Sequence, residues 1–190
     1  MEQVDHTTDT SGDGPTRRPL PALKAPSTWT SESLQEVKKT LQQDKGAVVK
    51  VYRGNIMTVH VPTLDEYKRV CWEFATDNYD IGFGIYFDWS PVTSQDITVH
   101  ISESSDDEDE EEEHEVPTNV ADVERGRKMS ASNTNTNLGE ILPMYRQDSH
   151  LAVQGGSHEF PGEGTYLIKF DNSYSLWRNK TLYYRVYYSN

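Results

Sequence analysis

The chain has 190 residues, with 18 Lys and Arg against 31 Asp and Glu, and a net charge of −13. That length holds one ordinary domain with tails, or two small ones; a hydrophobic share of 34 % lies below the roughly 45 % of a globular domain, so part of the chain is expected to stay unfolded. Ten acids and no Lys or Arg lie between Glu103 and Glu115, and without them the net charge is only −3, which excludes a uniformly acidic surface and, with no concentrated basic stretch, broad nucleic-acid binding.

Residues 1–27 are rich in Thr, Ser, Asp and Gly and contain Pro15, Pro19, Pro21 and Pro26. They read as a disordered N-terminal tail, followed by a single folded domain over 28–190. Met1 to Gly14 has no apolar core of the kind a secretory signal needs. Residues 31–45 read as a helix. Ser33 and Glu36 have the spacing of a capping box, Leu34, Val37 and Leu41 share one face, and Gly46 is a stop signal. The apolar stripe is narrow, so this helix is expected to dock on a sheet.

From residue 47 the period becomes two. Met57, Val59 and Val61 alternate with Thr58 and His60; Val70, Trp72 and Phe74 with Cys71 and Glu73; the odd positions from Ile81 to Trp89 with Gly82, Gly84, Tyr86 and Asp88; and Ile97, Val99 and Ile101 with Thr98 and His100. Each is a half-buried strand signature. Turn residues separate them: Arg53-Gly54-Asn55, Pro62-Thr63, Asp77-Asn78 and Ser90-Pro91. The period vanishes over 103–137, first acidic and then rich in Ser, Thr and Asn. Charges at that density cannot bury a core, so this is read as a long disordered insertion. Strand patterning returns at Ile141–Arg146, Tyr166–Phe170 and Leu182–Tyr188, with Gly155-Gly156 to Gly162-Glu163-Gly164 read as Gly-rich hairpin turns. Short strands without intervening helices predict an all-β fold, an antiparallel β-sandwich with one short N-terminal helix.

Little in the sequence points to catalysis. There is no Gly-x-Ser-x-Gly elbow and no phosphate-binding loop with its lysine. Cys71 is the single cysteine, which allows no internal disulfide and no cysteine-built zinc site and suits a reducing compartment. The six histidines lack metal-ligand spacing; His60 and His100 meet at most as a pair on a sheet face. Glu73 and Asp88 are the carboxylates a glycosidase reading would have to use. No metal and no cofactor are expected. The most apolar run, Ile81–Phe87, is far shorter than the ~20 residues of a membrane helix.

Recognition residues are easier to find. Nine aromatics lie between Phe160 and Tyr188. On the last strand Leu182, Tyr184, Val186 and Tyr188 share one face, and Tyr183, Arg185 and Tyr187 share the other. The second set has the composition of a binding surface; the alternative is an ordinary outer face. Trp177, Arg178 and Lys180 stand in the preceding turn and suit a partner protein or a lipid headgroup. These six, Trp177, Arg178, Lys180, Tyr183, Arg185 and Tyr187, are the candidate partner or lipid surface. Ser104 and Ser105 have acids three residues on, and Ser130 follows Arg127-Lys128-Met129; they are candidate phosphorylation sites.

Two long words carry a resemblance. They are Trp72-Glu73-Phe74-Ala75-Thr76-Asp77-Asn78-Tyr79-Asp80-Ile81-Gly82-Phe83-Gly84 and Phe170-Asp171-Asn172-Ser173-Tyr174-Ser175-Leu176-Trp177-Arg178-Asn179-Lys180, with Ser157-His158 and Pro161-Gly162 between them. Over about 32–190 the chain resembles the GOLD (Golgi dynamics) domain family, including its soluble and scaffold members. The resemblance implies a β-sandwich, no catalysis, and a protein-interaction role in Golgi and secretory traffic. With no secretory signal and no membrane-length apolar run the chain reads as cytoplasmic, and the resemblance implies a peripheral place on Golgi membranes with protein partners there. The coiled coil and membrane span of the family's cargo receptors are missing from this sequence, as are the lipid-carrier domains of other members. A peripheral module for anionic lipid is the alternative function, and a carbohydrate-binding sandwich a more distant one.

Overall fold

The computed structural model describes residues 19–104 and 137–190. Within them the period-two segments are strands, packed as two antiparallel five-stranded sheets. In chain order the elements are β1 (Ser27–Ser31), α1 (Leu34–Leu41), β2 (Val48–Val51), β3 (Asn55–Pro62), β4 (Arg69–Thr76), β5 (Ile81–Asp88), β6 (Thr98–Glu103), β7 (Leu138–Gln147), β8 (Val153–Glu159), β9 (Thr165–Asp171) and β10 (Lys180–Ser189). One sheet runs β1-β8-β4-β10-β2 and the other β6-β3-β9-β5-β7. The expected β-sandwich is what forms. The insertion expected over 103–137 lies almost wholly outside the described residues, as do Ser105, Ser130 and residues 1–18 of the expected tail.

The alternating apolar residues meet between the sheets. Trp72 and Phe74 of β4 face Phe83 of β5 and Phe170 of β9, with Phe74–Phe83 and Phe74–Phe170 ring centroids 4.4 and 5.1 Å apart. Met57, Val59, Val61, Ile85, Phe87, Ile168 and Leu182 complete this core. A second, smaller cluster lies on the outside of the first sheet. There α1 lays Leu34, Val37 and Leu41 over Ala75 and Tyr183, so the narrow stripe docks on a sheet as expected.

Several details differ from the sequence reading. The helix is shorter than 31–45, because Ser27–Ser31 pairs with β8 and Ser33 begins the turn. No capping box forms; Ser33 makes no side-chain cap bond. Nor does Gly46 stop the helix, which ends at Leu41 with Gln42 as its C-cap; Gly46 lies in the turn that follows, at φ +90°. The N-terminal lead is anchored in its described part. Leu23 packs against the core, and the Lys24 carbonyl accepts from His158 Nε2 at 2.9 Å. His158 Nδ1 lies 2.8 Å from the Tyr166 hydroxyl; because the Lys24 carbonyl can only accept, the neutral ring carries its proton on Nε2. Burial keeps that ring below its ordinary pKa.

The largest departure concerns Gly155-Gly156. These residues are not a hairpin turn but the middle of β8, between β1 and β4. Neither has a positive φ; among described residues only Gly46, Gly54 and Asn78 do. They are glycines because tryptophans occupy the space above and below them. A Cβ on Gly155 would stand 2.2 Å from the Trp29 ring, and one on Gly156 would stand 2.5 Å from Trp72 and 2.6 Å from the Ser27 carbonyl oxygen. Glycine in a strand marks a close approach of this kind.

Candidate interaction surface

The β9–β10 turn is held from several sides. Asn172 is fully buried, and its side-chain amide donates to the carbonyls of Val51 and Arg178 at 3.0 and 2.9 Å. Its backbone exchanges bonds with Gly54 and Asn55. Asn179 Oδ1 accepts from the Arg53 N–H at 3.0 Å, and the Arg53 guanidinium donates to the Leu176 carbonyl at 3.2 Å. These bonds fix the turn and leave its tip outside. Leu176 is 73 % and Trp177 83 % exposed. Two apolar side chains held out by a well-bonded turn are not needed for the core. Arg178 lies over the Tyr79 ring at 4.2 Å and is exposed.

Lys180, the first residue of β10, lies behind this tip and is 2 % exposed. Its ammonium donates to the Asp80 carbonyl at 2.5 Å, to the Tyr174 hydroxyl at 3.3 Å and to Asp80 Oδ1 at 3.5 Å. Arg146 Nε donates to Asp80 Oδ2 at 2.8 Å, and its guanidinium covers the Tyr174 ring. Burial opposes the Asp80 charge, but the hydrogen bonds from Arg146 and Tyr174 and the charges of Arg146 and Lys180 outweigh it, so the carboxyl stays below its usual range. Burial lowers the Lys180 ammonium, with Asp80 pulling the other way. Burial and the hydrogen bond to Asp80 push the Tyr174 phenol up to about 12. This network ties the turn to the β4–β5 hairpin. Its chemistry is structural, and it takes Lys180 away from any partner.

The outer face of β10 is divided in two. Tyr183 is buried beneath α1 and donates to Asp77 Oδ2 at 2.9 Å, while Lys38 donates to Asp77 Oδ1 at 2.8 Å. Arg185 and Tyr187 lie beyond the helix and are exposed. Arg185 pairs with Glu73, its register partner on β4, and covers the Tyr187 ring at 5.3 Å. Continuing across the sheet, Glu73 is the partner of Gly155, and Gly155 of Trp29. The half-exposed Trp29 therefore lies in one row with the Glu73–Arg185 pair. Cys71 faces the same side next to Tyr187; it is buried, and burial raises its thiol.

The six sequence candidates thus separate. Trp177 and Arg178 form a tip, and Arg185 and Tyr187 form a patch on the sheet. Five residues of strand, about 17 Å, divide Lys180 from Arg185. Lys180 and Tyr183 are interior. Sequence reasoning missed Trp29, Leu176, Arg53 and Tyr79. Trp29 carried a faint signal, as the one aromatic in the hydroxyl-rich run Ser27–Ser31; the partner glycine that seats it could not be read from the chain. Ser104 is half-buried and donates its N–H to the Gly54 carbonyl.

The paper candidates for chemistry do not assemble. Glu73 lies on β4 and Asp88 on β5, in different sheets, and Asp88 accepts from the Ser90 N–H. The His60 and His100 rings do meet, with centroids 4.4 Å apart on the outer face of the second sheet. Among the described residues no group of three or more His, Cys, Asp and Glu could hold a metal ion. Among the same residues no helix is long and apolar enough to cross a membrane.

Comparison with known proteins gives a consistent result. Residues 51–189 match a family described as Golgi-dynamics membrane-trafficking. Over 174 residues the chain is 56 % identical to human protein TMED8 and 57 % identical to the mouse protein, covering 90 % of this chain and 53 % and 52 % of theirs. Over 171 residues it is 52 % identical to the human Golgi resident protein GCP60, covering 90 % of this chain and 31 % of that one. The chain therefore spans about half the length of the first relatives and about a third of the second.

Proposed function

The chain belongs to the Golgi-dynamics membrane-trafficking family, and from that premise we propose that it is a non-enzymatic interaction module, an adaptor acting in Golgi and secretory membrane traffic. The observation that carries this reading is the exposed patch on the outer sheet face, where Trp29 and Arg185 share one row and Tyr187 stands in the next but one. Trp, Tyr and Arg are the residues that anchor protein interfaces, and a surface built on strands is pre-organised, so little ordering cost opposes binding. The reading treats 28–190 as one domain with 103–137 inserted, in the cytoplasm and peripheral on Golgi membranes. Its partners are proteins at those membranes; the relative GCP60 is itself a Golgi resident protein.

A second reading rests on the turn. Leu176 and Trp177 project next to Arg53 and Arg178, an arrangement that suits insertion at an anionic membrane surface.

Co-sedimentation separates the two. Purified protein is spun with intact Golgi membranes, with protease-stripped membranes and with protein-free anionic liposomes. The adaptor reading expects binding lost on stripping. Binding kept on stripped membranes and liposomes, and lost between 0.1 and 0.5 M salt, overturns it in favour of the lipid reading. Charge reversal of Arg178 and Arg185 that leaves all binding intact in a folded protein overturns both.

A further inference from the structure

Four strands end the two sheets; two of them are guarded, and a third offers no apolar row. β7 contains Pro143, which has no N–H to offer, and its register against β5 shifts twice. β2 is four residues long and includes Lys50. β1 is Ser-Thr-Trp-Thr-Ser; around Trp29 it offers no apolar row. Short length, Lys, Pro and bulges are the usual means of blunting a sheet edge.

β6 has none of these devices, and its one charge, Glu103, stands at its very end. It is six residues, Thr-Val-His-Ile-Ser-Glu, exposed throughout, with no Pro, Lys or bulge. The phase of its hydrogen bonds is fixed. Ser104 donates to the Gly54 carbonyl, so Ser102, His100 and Thr98 bond to β3, and the N–H and C=O groups of Val99, Ile101 and Glu103 face the open edge. Among the described residues no strand covers that edge. The same two apolar residues point inward, since their partners on β3 are the buried Val59 and Met57. Yet Val99 is 45 % and Ile101 59 % exposed, and Ile97 beside them is exposed too. The opposite sheet does not reach far enough to cover them. Ile97 and Val99 line one wall of an open groove, with Tyr184, Val186 and the Lys45 turn on the other.

A row of alternating backbone donors and acceptors is matched by another strand. We propose that the open edge of β6 is a β-augmentation site for an extended segment of a protein partner. The segment has an apolar residue at every second position, which covers Val99 and Ile101, and carries Lys or Arg at the end beside Glu103. The basic end follows from charge: Glu103 closes the strand and is the first of ten acids over residues 103–115 of the sequence. A second copy of the chain is disfavoured as occupant because it brings its own net charge of −13 to the contact. The assignment rests on the interaction-module reading above and adds to the Trp29, Arg185 and Tyr187 surface a second contact, on the edge of the other sheet.

The test uses a defined probe, a capped heptapeptide of sequence Lys-Thr-Val-Thr-Val-Thr-Lys, titrated into the isotope-labelled full chain and followed by NMR. The expected result is saturable amide shifts centred on Val99, Ile101 and Glu103, with slowed hydrogen exchange at those three residues. Affinity should fall at least tenfold when the peptide amides on its paired edge are N-methylated, and stay within twofold when those on the other edge are. Replacing the terminal Lys residues by Glu should weaken binding at least fivefold, and Ile101→Lys at least tenfold. The N-methyl comparison needs no protein variant, so a poorly folded Ile101→Lys chain does not spoil the test. No saturable shift at millimolar peptide, shifts centred on another edge, or equal binding of both N-methylated peptides overturns the proposal. Failure of the adaptor reading looks different: the peptide docks on β6 while Golgi membranes need no protein receptor. Failure of the edge alone leaves a protease-sensitive receptor but no docking.

Discussion

The paired glycines of β8 provide the sharpest check on the packing. Gly155→Ala and Gly156→Ala are neighbours with the same chemistry, but their new methyl groups meet different things. At Gly156 the Cβ would stand 2.5 Å from the Trp72 ring and 2.6 Å from the Ser27 carbonyl oxygen. Ordinary carbon contacts lie at about 3.5–4.0 Å, so roughly 1 Å of displacement is demanded. Trp72 is fully buried and Ser27 is backbone in a paired strand, so neither yields cheaply. Overpacking of this kind costs about 2–3 kcal/mol. At Gly155 the obstruction is the half-exposed Trp29 ring, which can lift toward water. Re-exposing on the order of 50 Å² costs about 1.3 kcal/mol, and Ala gains about 0.5–1 kcal/mol over Gly in a strand. Gly155→Ala should therefore stay within about 1 kcal/mol of the parent, and Gly156→Ala, which has the same gain, should lose about 1–2.5 kcal/mol. In thermal melts the second variant should fall by roughly 3–9 °C and the first by no more than about 3 °C. Urea midpoints with a common slope give the same comparison in free energy. Equal losses, or a Gly156→Ala variant as stable as the parent, would refute the claim that these glycines exist to seat two tryptophans on opposite faces of one strand.

Three further outcomes follow from the site. Lys180→Ala should cost about 3 kcal/mol in urea unfolding, because it removes a buried ammonium and leaves the Asp80 carbonyl and Tyr174 hydroxyl short of a donor; Trp177→Ala, at an exposed tip, should change stability by less than about 0.5 kcal/mol and be read instead in membrane co-sedimentation. Asp80 has a carboxyl held below its ordinary 3.8, so its contribution is complete above about pH 4 and is lost as pH falls through the lower folded value; Asp80→Asn should flatten the acid limb of a stability–pH curve. His158 has a folded pKa below 6.5, so the unfolded chain takes up its proton first and stability should fall as pH drops from 6.5 toward that lower value. His158→Gln should remove this slope between pH 7 and 5, and a slope unchanged by the substitution would count against the neutral ring bridging Tyr166 and Lys24.

Much of the fold was legible along the chain because alternation is a local signal. Met57–Val61, Val70–Phe74, Ile81–Phe87 and Leu182–Tyr188 each declare a buried face, and each is a strand with that face inward. The narrow stripe of Leu34, Val37 and Leu41 likewise announced a helix that needs a sheet beneath it, and the long words around Trp72 and Phe170 pointed to the family. What escaped was set by partners distant in sequence. β8 has little alternation because two of its side chains are hydrogen atoms, and the reason, a tryptophan on each face, comes from residues more than 80 positions away. Lys180 and Tyr183 have the composition of a surface, but Asp80 and α1 bury them. The candidate site was therefore only half visible: residue type indicated recognition, whereas exposure, the division into a tip and a sheet patch, and the inclusion of Trp29 required the register of β1, β8, β4 and β10. The open edge of β6 belongs to the same class. The sequence by itself determined that Val99 and Ile101 face a core. Only the tertiary structure decided that the opposing sheet stops short of them, because burial depends on what lies across the sandwich and not on the strand's own pattern.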